Sequence, residues 1–180
     1  MRIVKENAVG LVIDCQERLL PHVAERQQLL KNTGILIAGL KALEIPLLAT
    51  EQYRKGLGIT APDISGLCAP FNPLEKTAFS CGDDQGFLQA LVKTGRTSVV
   101  ICGIEAHVCV LQTAIDLAGK GYTPVVVADC VSSRRLSDKE TAIARMRQEG
   151  VIVTSYEAIL FELCRIAGTE QFRAISKLVK

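Results

Sequence analysis

Short apolar runs separated by longer amphipathic stretches set the plan of this chain. Asn7–Asp14, Ile45–Ala49, Ser98–Cys102, Thr123–Asp129 and Val151–Thr154 are β-branched or aliphatic almost throughout. Runs of that length without polar alternation are the pattern of strands covered on both faces. Between them the apolar spacing changes to three and four, which predicts helices over Gln27–Leu43, Gly86–Thr94, Ala106–Ala118, Ser137–Glu149 and Ser155–Cys164, with a short terminal helix over Thr169–Val179. Ser137 with Glu140 gives a capping-box pattern, and Gly150 stops the helix that follows it. Strand and helix alternate from end to end. The predicted fold is therefore α/β, a mostly parallel sheet with helices on both faces, in one domain over residues 1–180.

Composition narrows the function classes. The formal net charge is +2 with no basic block, so nothing electrostatic points to nucleic acid or an anionic membrane. No apolar run is long enough to span a bilayer, and the N-terminus lacks a secretory pattern. The seven cysteines are odd in number and show no C-x-x-C spacing. That predicts reduced thiols in a cytoplasmic setting rather than a disulfide framework or a zinc site. Aromatic residues make up 4%, so the core must be aliphatic.

The candidate chemistry lies at strand ends. The stretch Ser98–Ala118 reads as a strand broken by Gly103, a tight turn and a helix, with Cys109 in the first helical turn. Unpaired N–H groups and the helix dipole favour negative charge there, so a thiol at that position is expected to ionise readily. Asp14 and Asp129 each end an apolar strand, so they should face the same sheet edge as Cys109. Cys102, Cys130 and Cys164 read as inert packing. Cys15, Cys68 and Cys81 fall in or near loops. The polar connection Thr50–Ala69 has the length of a substrate loop, and Lys76 lies between two short apolar patches after it. Phosphate-binding glycine fingerprints and the serine-hydrolase G-x-S-x-G are absent. The two histidines, His22 and His107, have no metal-motif spacing, and His107 reads as a turn residue lining a cleft.

Three blocks, GLVIDCQERL around Asp14, LEKTAFS around Lys76 and VVICGIEAHVCVLQTAIDLAGKGY around Cys109, resemble the isochorismatase-like or cysteine hydrolase family over nearly the whole chain. The segments TEQYRKGLG and GIEAHVCVLQTA are similar to its small isochorismatase domain-containing branch. The resemblance implies a three-layer α/β/α sandwich on a mostly parallel six-stranded, Rossmann-like sheet. It implies a catalytic triad of Asp14, Lys76 and Cys109, a cis peptide between Ile104 and Glu105, and an oxyanion hole from the backbone N–H groups of Glu105 and Cys109. It also implies a homo-oligomer.

Two departures direct the reading. Isochorismatases proper lack the nucleophilic cysteine that Cys109 supplies here. Nicotinamidases carry histidines that hold a metal, where this chain reads Thr50-Glu51-Gln52-Tyr53. The expectation is a metal-independent, cofactor-free cysteine hydrolase that cleaves a small amide or imide through an acyl-enzyme, with Gln16, Tyr53, Leu57 and His107 on the pocket wall. The alternative is a binding or scaffold protein that keeps the fold and turns over little.

Overall fold

The computed structural model describes all residues, Met1–Lys180. Six strands form one sheet: β1 Ala8–Ile13, β2 Leu47–Gln52, β3 Leu74–Lys76, β4 Ser98–Ile104, β5 Thr123–Ser132 and β6 Ile152–Thr154. Their order is β3-β2-β1-β4-β5-β6, and every pairing is parallel. The chain runs outward from β1 to β3, then returns to the other side of β1 with β4. The reversal between β1 and β4 leaves a crevice at the carboxyl ends of these strands, where open α/β sheets place ligands.

Eight α-helices accompany the sheet: α1 Arg26–Ala42, α2 Arg54–Leu57, α3 Pro62–Ser65, α4 Gln85–Lys93, α5 Leu111–Gly119, α6 Leu136–Gln148, α7 Tyr156–Cys164 and α8 Glu170–Leu178. One face of the sheet packs Val12, Val100 and Val125 against Leu36, Leu40 and Leu160 of α1 and α7. The other packs Leu11, Ile101 and Val126 against Phe87, Leu117 and Met146 of α4, α5 and α6. Strands β1 and β4 are buried along their whole lengths, which is why they read as unbroken apolar runs. No helix is long and apolar enough to cross a membrane.

Several boundaries differ from the sequence reading. Strand β3 is an edge strand of three residues, too short and too charged to carry a strand pattern. The Thr50–Ala69 connection is not all loop, because β2 runs on to Gln52 and α2 and α3 follow. Gly103 does not end β4, which continues through it to Ile104. Strand β5 reaches Ser132. Helix α6 starts at Leu136 after Arg135, with no side-chain cap, so Ser137 is inside the helix rather than its N-cap.

Candidate active site

Asp14 follows the last residue of β1 and adopts a left-handed backbone, φ 50°. Its side chain is wholly buried. Thr50 Oγ1 donates to Oδ1 at 2.7 Å, and Lys76 Nζ donates to Oδ2 at 2.8 Å. The ammonium also donates to Gln52 Oε1 at 2.7 Å and to the carbonyls of Phe79 and Ala78 at 3.1 and 3.3 Å. A buried ion pair is tolerated only when the remaining lone pairs and protons are satisfied, and these acceptors do that for Lys76.

The third residue arrives through β4. Gly103 has φ +120°, and a Cβ there would lie 2.1 Å from the carbonyl oxygen of Ile13. Only glycine lets β4 pass that close to the end of β1. The Ile104–Glu105 peptide beyond it is cis. Ala106–Val110 then form a π-turn, closed by Val110 N–H donating to the Glu105 carbonyl at 3.2 Å, before α5 begins. Cys109 is in that turn, 6% exposed, at the β1/β4 crevice. The turn is wider than an α-helical start, which the apolar spacing from Ala106 did not signal.

The electrostatics correct the sequence reading of the thiol. Burial pushes Cys109 far above the ordinary thiol value of 9.0, and the Asp14 carboxylate pushes it further, against the lowering effect of Lys76. Desolvation and the carboxylate outweigh the lysine, so the packed environment favours the neutral thiol. Lys76 is itself held above its ordinary value: burial opposes the charge, but Asp14, Cys109 and Cys81 together outweigh that. The same ammonium acts on Cys81, which burial raises to about 11.

The all-parallel sheet that reverses at that point has counterparts among known proteins. The Isochorismatase domain model matches residues 8–158. The chain belongs to the isochorismatase family. It is 36% identical to mouse isochorismatase domain-containing protein 2A over 99% of this chain and 85% of that one. It is also 36% identical to the secreted isochorismatase effector Isc1 of Phytophthora sojae, over 99% and 87%. Among solved structures, MAR1 ribonuclease from Caenorhabditis elegans superposes with a TM-score of 0.92 at 36% identity, covering 99% of this chain and 92% of that one. The family supports hydrolase activity.

Within this isochorismatase-family fold, other residues singled out in the sequence fall in varied places. Gln16 is not a pocket-wall residue. It is fully buried and clamps β2, accepting from Gln52 N–H at 2.7 Å and donating to the carbonyls of Gln52 and Gly58 at 3.0 and 2.7 Å. Tyr53 is half exposed, with its backbone N–H on the Lys76 carbonyl at 2.8 Å. Leu57 is half-buried in α2. His107 Nδ1 lies 2.9 Å from Ser133 Oγ, and the residue lines a cavity with Leu111 and Arg145. Asp129 shares the sheet edge but not the site, since its carboxylate accepts from Tyr156 N–H at 2.9 Å and starts α7. Cys102 and Cys130 are buried as read, whereas Cys164 is half-buried; Cys15, Cys68 and Cys81, in or near loops, are buried too. No group of three or more His, Cys, Asp and Glu is placed to hold a metal ion.

Sequence reasoning missed Thr50 and Gln52, the supports of the Asp14–Lys76 pair. Their signal was available: residues two apart on a strand share a face, but the strand had to be extended past Ala49 to show it. It also missed the ion pair between buried Glu105 and exposed Arg134, 3.0 Å apart, for which the sequence carries no local cue.

Proposed function

We propose that this protein is a cysteine hydrolase that cleaves a small amide or imide through an acyl-enzyme on Cys109. The observation that carries the reading is the buried Asp14–Lys76 pair, 2.8 Å apart, acting directly on the Cys109 thiol. Asp14 is the general base. It takes the thiol proton as Sγ attacks the carbonyl carbon, because a thiol raised this far does not ionise beforehand. The backbone N–H groups of Glu105 and Cys109 receive the developing oxyanion. Protonated Asp14 gives its proton to the leaving nitrogen as the C–N bond breaks. Water then attacks the thioester, Asp14 takes one of its protons, and the acid leaves as the proton returns to sulfur. Lys76 keeps Asp14 oriented and ionised between steps. No metal or cofactor enters this scheme.

The same reading places residues 1–180 in one domain, as a homo-oligomer in a reducing, cytoplasmic compartment that suits seven unpaired cysteines. Intact-protein mass spectrometry during turnover of a small amide and imide panel tests the mechanism. An acyl adduct on Cys109, lost with all hydrolysis in Cys109→Ala, is the expected result. Hydrolysis that survives Cys109→Ala eliminates it. RNA belongs in the panel because the C. elegans relative is a ribonuclease by name, although a net charge of +2 without a basic block gives phosphate backbone little to hold.

A further inference from the structure

Strand β2 carries a second polar centre on its reverse side. Side chains alternate along a strand, so Thr50 and Gln52 face the Asp14–Lys76 pair and Glu51 faces the α1 layer. The residue is 1% exposed. Oε1 is satisfied by Thr60, from N–H at 2.7 Å and Oγ1 at 2.9 Å. Oε2 is buried and receives no hydrogen bond from any protein donor. Arg54 Nε is 3.4 Å from it, beyond the roughly 2.7–3.2 Å of an N–H···O bond. The Arg54 side chain is 53% exposed, on the four-residue α2. Both residues line a cavity of 440 Å³ that also presents Ser65, Asn72, Ile59 and Phe71.

A buried carboxylate oxygen without a donor is an unsatisfied group that a ligand can answer. A simple cation would serve Oε2 but displace Arg54 without offering it a partner. A simple anion would meet Arg54 and sit against Glu51. A molecule with an ammonium and a carboxylate on adjacent atoms serves both. We propose that this cavity binds a small zwitterion of the α-amino-acid type: the ammonium donates to Glu51 Oε2, the carboxylate pairs with Arg54, and the side chain rests on Ile59 and Phe71. The site is separate from Cys109, and it stands or falls independently of the hydrolase reading.

Saturation-transfer NMR of the full chain against a panel of free L-amino acids, followed by calorimetry on the strongest binder, tests this. The expected result is a bound apolar amino acid whose N-acetyl derivative, which loses the buried Glu51 partner, binds about tenfold more weakly or worse, and whose carboxamide, which loses the half-exposed Arg54, binds about fivefold more weakly. Arg54→Met should weaken the free amino acid by a similar factor while leaving the carboxamide unchanged. Ile59→Trp, at a 44% exposed position on the cavity wall, should occupy the cavity and abolish binding even if Glu51→Gln fails to fold. A panel with no binder at millimolar concentration overturns the proposal. So does a binder indifferent to both Arg54→Met and Ile59→Trp.

Discussion

Lys76 and Asp14 meet over the end of a strand that belongs to neither. Asp14 leaves β1, Lys76 closes β3, and β2 runs between them, with its Thr50 bonded to the carboxylate and its Gln52 to the ammonium. The charged pair is therefore held from below by alternate residues of a third strand.

Removing the cation should expose how much this pair is worth. Lys76→Met leaves a buried carboxylate without its counter-charge, and the expected destabilisation is about 3–5 kcal/mol in urea unfolding. Adding Asp14→Asn to that variant should recover part of the loss, because the two effects share one interaction. Equal stability of the single variant and the parent would mean that the pair does not form.

The Cys109 thiol should alkylate slowly at neutral pH, with a rate still climbing at pH 10. Asp14 raises the thiol, so Asp14→Asn should speed iodoacetamide labelling of Cys109 at any one pH while removing hydrolysis. Peptide mapping across a pH series separates this from the other cysteines. A labelling plateau below the ordinary thiol value would show a preformed thiolate instead.

Gln16→Leu should act on stability. The substitution orphans the N–H of Gln52 and the carbonyls of Gln52 and Gly58 in buried surroundings, with an expected cost of about 3 kcal/mol. A wall residue of an open pocket would change substrate KM and leave the urea midpoint where it was.

Alkaline pH should destabilise the fold under reducing conditions. Burial raises Cys15, Cys81, Cys102, Cys109 and Cys130 above 9.0 in the folded chain. Unfolded thiols lose their protons first, so the unfolded state binds fewer protons above pH 9 and stability falls as pH rises. Each thiol contributes about 1.4 kcal/mol one pH unit above its unfolded value. Lys76, raised in the fold, adds to the loss only at still higher pH, as it is titrated. Urea midpoints from pH 8.5 to 10 should fall, and Cys130→Ala should make the slope shallower.

How much of this the chain announces locally follows from where each contact reaches. Strands β1, β4 and β5 are covered on both faces, so their burial is written in consecutive apolar residues, and the helices between them announce themselves by spacing. Asp14 and Cys109 stand out because each interrupts or follows such a run. Lys76 has no local mark: its three-residue strand is held by β2 and its charge by residues 62 and 24 positions away in sequence. Gln16 and Glu51 look like loop polars and turn out buried, because their partners, backbone groups for Gln16 and Thr60 for Glu51, are brought near only by folding. The ionisation of Cys109 was decided the same way. A helix start is a property of sequence, whereas the depth of burial and the facing carboxylate belong to the packed molecule, and those two raise the thiol.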